Sequence, residues 1–250
     1  MSTAPVLVKF GGELVETPER LAAVADALEA FAAAGPLVVV HGGGREIDAE
    51  LARRGVAKQA VDGLRITDAP TLDAVVAVLG GTINTRLVAH LVARGLEAVG
   101  LTGVDTALAR ATRAAAHVTA AGAAVDLGLV GEPDTTADVS LVRHLVQGGY
   151  VPVIASLGIG HDGQVLNVNA DTLAAHVAAA VGAQELVLAG GTAGVLDGHG
   201  QTIAELTPSA ADALMRDGTA SAGMIAKLRA ATAAKARGVA RVAIVDGKSA

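Results

Sequence analysis

The chain has 250 residues, 52% of them hydrophobic, which supplies apolar material for one large core or two smaller ones. Its net charge of −6 and its aromatic content of 1% argue against a nucleic-acid-binding surface, and its lack of cysteine excludes disulfides, thiolate metal sites and a cysteine nucleophile. Because it has neither a secretory signal pattern nor 18 uninterrupted apolar residues, we expect a cytoplasmic protein that does not cross a membrane.

Strand-like and helical runs alternate along the whole chain. Strands are predicted at residues 6–10, 36–40, 98–101, 151–155, 186–188 and 239–245. Helices are predicted at residues 18–34, 46–54, 73–93, 141–147, 172–181 and 225–237. This alternation is typical of an α/β protein, a three-layer sandwich whose central sheet is mainly parallel.

Two stretches interrupt the alternation. Residues 113–131 predict a hairpin with strands at 116–120 and 123–130. The sequence HDGQVLNVNA, residues 161–170, places an Asp-Gly turn beside an alternating strand and predicts a second hairpin. We expect two lobes that meet near Asp171, an N-terminal lobe of residues 1–171 and a C-terminal lobe of residues 172–250.

The stretch VVVHGGGREIDAEL, residues 38–51, joins a β-branched run to a helical pattern through three glycines. It predicts a strand, a tight turn and a helix N-terminus, where free N–H groups and the helix dipole favour an anion. Glycine also lets a ligand approach the backbone without a Cβ in the way. Taken alone, the pattern is equally typical of an ordinary strand-to-helix turn.

Four glycine-bearing segments are predicted at strand ends or helix starts. They are KFGG at 9–12, HGGG at 41–44, GGTAG at 190–194 and the segment 218–227. Such strand ends line the edge of an open α/β sheet where ligands bind. Lys9 and Lys227 lie in two of these segments. Either lysine alone is typical of a side chain that reaches solvent, but two lysines beside glycine-rich anion sites indicate phosphate binding.

Other motifs fail on their context. The GxGxxG match at 158–163 precedes a predicted strand, not the helix that a dinucleotide site requires. The GKS sequence at 247–249 lacks the earlier glycine of a P-loop, and HGGG has no accompanying GxSxG elbow of an esterase. The seven histidines show no metal-ligand spacing, so we expect no metal bound by protein side chains.

Taken together, these segments resemble the amino-acid kinase family. The matching segments occur in family order and cover nearly the whole chain: VLVKFGGEL, VVVHGGGREID, VDGLRITD, AVGLTGVD, GYVPVIASLGI, GQVLNVNADTLA, GVLDGHGQTIAEL and ASAGMIAKLRAA. The resemblance implies a carbamate-kinase-like fold and transfer of a phosphoryl group from ATP to a carboxylate. The acceptor it implies is the side chain of an N-acylated glutamate, N-acetyl-L-glutamate in arginine biosynthesis.

The resemblance also implies the catalytic residues. Lys9 and Lys227 would flank the transferring phosphoryl group, and Asp171 would hold both ammonium groups by charge-assisted hydrogen bonds. Gly12 and Gly43 complete this set. No general base is needed, because a glutamate side chain, with a pKa of about 4.3, is already a nucleophile near neutral pH. The alternative for Asp171 is the N-cap of the helix predicted from residue 172.

Two binding sets follow from the same resemblance. Arg65 would grip the substrate α-carboxylate, for which its guanidinium fork is well shaped, although an ordinary surface ion pair is the alternative. The remaining acid-binding residues are Gly43, Gly44, Asn167 and Asn169. The nucleotide-binding residues are Gly11, Gly191, Thr192, Ala193, Gly194, Val195, Leu196, Thr219, Ala220 and Ser221. The implied cofactor is Mg²⁺, held mainly by the ATP phosphates.

One departure from the family pattern bears on the nucleotide. The family commonly has a Ser/Thr-Asp pair where this chain has Gly190 and Gly191, so an acidic group is missing there. Three alternatives stay open: the acceptor could be N-succinylglutamate or a protected aminoadipate, or the chain could be a catalytically weak regulatory module. Retention of Lys9, Asp171 and Lys227 together favours an enzyme.

The assembly is expected to be a homodimer. Arginine-inhibited family members have an additional N-terminal helix that joins dimers into hexamers, whereas the first strand predicted here begins at Val6. The five preceding residues are too few for a stable helix. We therefore expect small-molecule substrates, no nucleic-acid or membrane partner, and activity insensitive to arginine.

Overall fold

The computed structural model describes residues 4–119, 122–134 and 138–248. Its centre is a six-stranded sheet in which every neighbouring pair is parallel. In spatial order the strands are β14 (Arg241–Asp246), β13 (Glu185–Gly190), β1 (Val6–Phe10), β2 (Leu37–His41), β10 (Val151–Ala155) and β5 (Ala98–Thr102). The predicted α/β class and parallel sheet are thus confirmed, with each strand displaced by at most three residues at either end.

The helices form layers on both faces of this sheet. Their bounds are α1 Pro18–Ala34, α2 Gly44–Arg53, α3 Ala69–Val76, α4 Asn84–Val92, α5 Ser140–Gln147, α6 Ala170–Val181, α7 Pro208–Arg216 and α8 Ala222–Ala236. Helix α1 has the predicted limits because Pro18 occupies its first turn and the Thr17 side chain accepts a hydrogen bond from the Arg20 N–H at 3.3 Å.

Alternate residues of each central strand point to opposite layers, so both faces of the sheet are buried. Leu7 and Leu186 belong to the core formed with α6 and α8. Their neighbours Val8 and Val187 belong to the core formed with α1 and α4. Burial on both faces explains why these strands read as unbroken apolar runs.

A four-stranded sheet lies beside the main one, in the order β11-β12-β9-β6, with β11 at Leu157–Ile159, β12 at Val165–Val168, β9 at Val130–Pro133 and β6 at Ala111–Arg113. Strands β11 and β12 are antiparallel, which confirms the hairpin predicted from the Asp-Gly turn. Two short antiparallel pairs complete the strands: β3 (Ala60–Val61) with β4 (Leu64–Arg65), and β7 (His117–Val118) with β8 (Ala124–Val125).

The strand predicted at 123–130 is wrong, because these residues divide between two sheets. Only Ala124–Val125 pairs with β7, while Val130 begins β9. Gly128 separates them with a φ of 73°, a left-handed conformation that ends a strand, and it forms a bridge with Thr67. The other predicted strand, 116–120, is shorter than expected, and Ala120 lies outside the described residues.

One helical row runs from Ala69 to Val92 through α3, a π-helical stretch at Ala77–Ile83, and α4. The row has 24 residues, and an 18-residue window within it has a mean hydropathy of 1.5, which is sufficient for a membrane span by length and composition alone. In this fold, however, Leu87 and Leu91 are fully buried against the main sheet, and 39% of that window is buried. One side of the row therefore packs against the core.

The Asn84 side chain ties this row to the strands beneath it. Its Nδ2 atom lies 2.9 Å from the Val153 carbonyl oxygen, 3.3 Å from the Leu101 carbonyl oxygen and 3.1 Å from His41 Nε2. Burial lowers the pKa of His41 to about 4, so the ring is neutral and Nε2 can accept this hydrogen bond. The HGGG loop that follows β2 is thereby anchored through a buried amide.

We predict that Asn84→Ala destabilises the fold by about 3 kcal/mol, because it removes a buried side-chain donor that joins α4 to acceptors on three strands. Urea unfolding measures this loss. Thr85→Ala, at an exposed position one residue along α4, serves as the control and is expected to change little. Equal stability of the two variants would contradict the anchoring role.

Candidate active site

Lys9, Asp171 and Lys227 form a buried cluster at the carboxyl edge of the main sheet. Lys9 is near the end of β1, Asp171 is in the first turn of α6, and Lys227 is in the second turn of α8. Asp171 Oδ1 lies 2.8 Å from Lys9 Nζ and 3.2 Å from Lys227 Nζ. The three side chains are only 5%, 9% and 11% exposed, respectively. Two cations thus share one carboxylate away from water.

Burial and charge act against each other in this cluster. Burial lowers the pKa of Lys9, and the nearby Lys227 lowers it further, while Asp171 raises it in part. For Asp171, burial alone would raise the pKa, but the charges of Lys9 and Lys227 and their hydrogen bonds hold it below its ordinary value. With both lysines protonated, the three side chains together carry one more positive charge than negative, which favours an anionic ligand.

Asn169 determines how Asp171 is presented. Helix α6 begins at Ala170, and the Asn169 side-chain oxygen accepts hydrogen bonds from the N–H groups of Asp171 (2.9 Å) and Thr172 (3.0 Å). The alternative of Asp171 as the N-cap is therefore wrong, because the helix starts two residues earlier than the pattern indicated. With the cap supplied by Asn169, the Asp171 carboxylate is free to hold both lysines.

The glycine loops after β1 and β2 pack directly against each other. A methyl group added to Gly12 would lie 2.8 Å from Gly43 Cα, and one added to Gly43 would lie 2.9 Å from Leu79. A larger residue at Gly12 would force the loops apart, and one at Gly43 would collide with the side chains of Ile83 and Leu79. Beside Gly44, by contrast, the corresponding position is open. The backbone of the two loops therefore meets next to open space at the start of α2.

Arg65 lies on the other side of this space. Its Nη2 atom donates to the Gly44 carbonyl oxygen at 3.1 Å and forms a short ion pair with Asp48. Its Nη1 atom is buried and, among the described residues, has no hydrogen-bond partner. A buried guanidinium N–H without an acceptor is costly, so this atom is suited to receive a ligand carboxylate. Asn167 donates to Thr67 Oγ1 at 3.1 Å nearby.

Sequence reasoning missed two acidic side chains at this site. Asp48 pairs with both Arg65 and Lys58, and these hydrogen bonds outweigh burial and lower its pKa. Glu46 lies beneath Gly12 and Gly43, with both carboxylate oxygens buried and without a hydrogen-bond partner in the described structure. Burial raises the pKa of Glu46, and Glu16 and Glu13 add to this effect.

The predicted nucleotide-binding residues form a separate group around the loop that follows β13. Val195 is buried with Met224 and Leu228 of α8, so this loop packs on the helix that carries Lys227. Gly194 adopts a φ of 104°, and the Ala193 carbonyl oxygen accepts a hydrogen bond from Thr202 at 3.2 Å. Thr192 is exposed, and Leu196 bridges to Thr202 at the far end of the loop.

The N-terminus of α8 completes this group. Ser221 precedes the helix but, in the described structure, its side chain forms no capping hydrogen bond. The Thr219 N–H is bonded to Asp217 at 3.0 Å, and the Ala220 N–H to the Leu214 carbonyl at 3.2 Å. A helix end without a side-chain cap leaves N–H groups that suit a phosphate. Gly11 and Gly191 lie between this group and the lysine cluster, close to Glu13.

Comparison with known proteins gives a consistent result. The sequence matches the amino acid kinase family over residues 4–246. Acetylglutamate kinase of Aromatoleum aromaticum is 41% identical over 246 residues, which cover 97% of this chain and 82% of that protein. The crystal structure of smu.665 from Streptococcus mutans UA159 matches with a TM-score of 0.83 and 27% identity, covering 98% of this chain and 96% of that chain. Giardia carbamate kinase matches with a TM-score of 0.73 at 13% identity, over 100% of this chain and 95% of that one, and supports the fold alone.

We predict that Glu46→Gln stabilises the fold at pH 8 and has little effect near pH 4. A carboxyl group whose pKa is raised on folding loses stability as the pH rises through the folded pKa, and glutamine removes that loss. Urea unfolding at both pH values measures the difference. Glu50→Gln is the matched control with the opposite sign, because Arg53 and Arg54 lower the pKa of Glu50 to about 2. A constant difference between Glu46→Gln and the natural chain at both pH values would contradict the prediction.

Proposed function

The chain belongs to the amino acid kinase family, and we propose that it acts as a cytoplasmic acetylglutamate kinase, which transfers the γ-phosphoryl group of ATP to the side-chain carboxylate of N-acetyl-L-glutamate. The observation that carries this proposal is the buried Lys9–Asp171–Lys227 cluster with its unneutralised positive charge. It lies between the glycine loops of the acid side and the β13 loop of the nucleotide side. The acyl phosphate and ADP are the products.

The cluster suits phosphoryl transfer because this reaction depends mainly on positioning and charge stabilisation. Lys9 and Lys227 approach Asp171 from β1 and α8, so the gap between their ammonium groups is fixed by two rigid elements. A phosphoryl group in that gap would meet positive charge on both sides as charge develops on its oxygens. Gly12 and Gly43 would allow its close approach to the backbone.

The acid side fits an acceptor with two carboxylates. Arg65 Nη1 would take the α-carboxylate, and Asn167 and Asn169 would hold the amide and the chain between them. The side-chain carboxylate would then point across Gly43 and Gly44 towards the cluster. Since it is already ionised near neutral pH, it can attack the γ-phosphorus directly, with transfer of the phosphoryl group and departure of ADP.

Mg²⁺ is the expected companion of ATP. Among the described residues, no group of three or more His, Asp or Glu side chains could hold a metal ion. That composition suits an ion held mainly by nucleotide phosphates and water, which is common for Mg²⁺. When bound, the ion would neutralise part of the charge on the β- and γ-phosphates. Asp171 would hold the two lysines rather than the ion.

We also propose a division of labour along the chain. Residues 1–171 would bind the acid and form the dimer contact, and residues 172–250 would bind the nucleotide. The main sheet joins the two parts, because β13 and β14 from the second part lie next to β1 from the first. The phosphoryl group would therefore pass from the nucleotide side to the acid side along the carboxyl edge of a single sheet.

The decisive experiment is trapping of the acyl phosphate. The protein is mixed with MgATP, hydroxylamine and one acid at a time: N-acetyl-L-glutamate, N-succinylglutamate or an N-protected aminoadipate. Hydroxylamine converts an acyl phosphate to a hydroxamate and releases phosphate. A hydroxamate formed fastest from N-acetyl-L-glutamate supports the proposal. Ligand binding without any hydroxamate would support the regulatory alternative.

We predict that Lys9→Ala and Lys227→Ala each lower kcat by about 10²–10³-fold and change the KM values much less, because the ammonium groups act mainly in the transition state. Steady-state kinetics with both substrates test this. Lys235→Ala is the matched control, since Lys235 is two turns further along α8 and, among the described residues, its side chain bonds only the Ala240 carbonyl. Near-normal turnover of either variant would remove that lysine from the reaction.

Arg65→Ala is expected to weaken binding of the acylamino acid by about 2–5 kcal/mol and to leave ATP binding nearly unchanged. The reason is that Arg65 contacts the Gly44 carbonyl and Asp48, both on the proposed acid side. Calorimetric titration of each ligand separately measures both effects. Arg53→Ala, on the exposed end of α2, is the control. A loss confined to ATP would show that Arg65 serves the other ligand.

For the assembly, we propose a homodimer closed by an isologous interface. The exposed side of the Ala69–Val92 row, where Val76 and Val92 are 38% and 54% exposed, is one apolar surface available for it. Light scattering is expected to give twice the chain mass of 24.6 kDa. A monomer or hexamer mass would overturn this prediction.

A further inference from the structure

The backbone of Gly190 and Gly191, at the end of β13, is surrounded by charged side chains from three other parts of the chain. A methyl group added to Gly190 would lie 3.0 Å from Lys227 Cε and 3.8 Å from Glu13 Oε1. One added to Gly191 would lie 3.0 Å from Lys248 Nζ and 3.7 Å from Glu13 Cγ. The space that side chains at 190 and 191 would fill is therefore shared by two lysines and one glutamate.

Glu13 is held in place by its backbone but not by its carboxylate. It lies in the 3₁₀ turn Gly12–Leu14 directly after β1, and its carbonyl oxygen accepts a hydrogen bond from Arg20 at 3.0 Å. Among the described residues, its carboxylate forms no hydrogen bond and no ion pair. It is nevertheless close enough to raise the pKa of Lys9. The turn thus places a carboxylate that has no hydrogen-bond partner in the described structure beside the site proposed for the ATP phosphates.

A carboxylate in that position would repel the phosphates of ATP unless a cation lies between them. Lys248 forms no ion pair with it in the described structure, and its ammonium group donates instead to the Gly191 carbonyl oxygen at 3.0 Å. Mg²⁺ bound to a nucleotide commonly adds one or two protein carboxylates to its phosphate and water ligands. A single, backbone-anchored carboxylate fits this requirement.

We propose that Glu13 binds the Mg²⁺ ion of the nucleotide, directly or through one of its waters, and that bare Gly190 and Gly191 leave it room to do so. This inference rests on the proposed function. It also accounts for the missing acidic residue at 190–191: the carboxylate reaches the same space from the turn after β1. Glu13, which follows β1, would thus supply the carboxylate that the family commonly has at the end of β13, the neighbouring strand.

Nucleotide titrations without the acid substrate test this proposal. Binding of ATP to the natural chain and to Glu13→Gln is measured once with excess Mg²⁺ and once with excess EDTA. We expect Glu13→Gln to weaken binding of MgATP by about tenfold, the scale of losing one partner of a bound metal. Metal-free ATP is expected to bind the variant at least as tightly as the natural chain, because a repulsive charge has been removed.

A carboxylate introduced at position 191 is expected to restore the affinity that Glu13→Gln loses. Gly191 does not require a left-handed backbone, and the nearest obstacle to a side chain there is the flexible end of Lys248. The double variant Glu13→Gln, Gly191→Asp is therefore expected to regain most of the lost affinity for MgATP. Glu29→Gln, at an exposed position on α1, is the control and is expected to match the natural chain in both titrations.

The outcomes separate this inference from the proposed function. If the natural chain binds MgATP and Glu13→Gln loses affinity equally with and without Mg²⁺, Glu13 merely supports the turn and the inference is overturned. The same holds if the variant is indistinguishable from the natural chain. If the natural chain binds no nucleotide at all, both the proposed function and the inference fall.

Discussion

The structure depends on one unbalanced electrostatic arrangement, two ammonium groups that share the carboxylate of Asp171 in a buried site. Taking three charges out of water is costly, and a single carboxylate compensates for only one of the two cations. The positive excess therefore persists until an anion arrives. The charges come from β1, α6 and α8, which are distant in sequence. The packing of these two helices on the main sheet therefore provides the frame that holds the cluster together.

The polar groups around this cluster are of two kinds: some are hydrogen-bonded within the fold and support it, and others have no partner in the part of the chain that the structure describes. Asn169 caps α6, and Asn84 secures the HGGG loop through neutral His41; these contacts are complete within the fold. By contrast, Arg65 Nη1, the Glu46 carboxyl group and the Glu13 carboxylate lack partners among the described residues. These three groups lie beside the glycine-rich segments, Arg65 and Glu46 at the HGGG loop and Glu13 beside Gly190, while His176 Nε2 on α6 is another buried atom without a partner in the described structure. Such a distribution is what a preorganised binding site requires.

The sequence predicted the parts of this design that have local causes. Helix α1 was predicted to the residue because its apolar residues recur at helical spacing and Thr17 and Pro18 begin it locally, and the parallel strands were recognisable as apolar runs. Residues 123–130 were mispredicted because a tertiary contact at Gly128 divides them. Asp48, Glu46 and Glu13 were missed because a carboxylate acquires its role from neighbours on other strands, which neither spacing nor composition encodes. The glycine-rich segments indicated the two lysines, whereas the resemblance added Asp171 and implied that the three residues act together.

The π-helical stretch between α3 and α4 has a consequence for how this fold can change. Its wider turns let α3 pack with α2 near the acid side while α4 packs on α1 and the sheet, so one row of helix serves two cores. A π-helical turn holds more residues than an α-helical one, so the stretch Ala77–Ile83 absorbs residues that a regular α-helix would not accommodate in phase. Loss of one residue there would let ordinary α-helical winding resume while Leu87 and Leu91 still face the sheet. This stretch is thus the place in the row where the chain can lose a residue and still keep the buried face of α4 in the core.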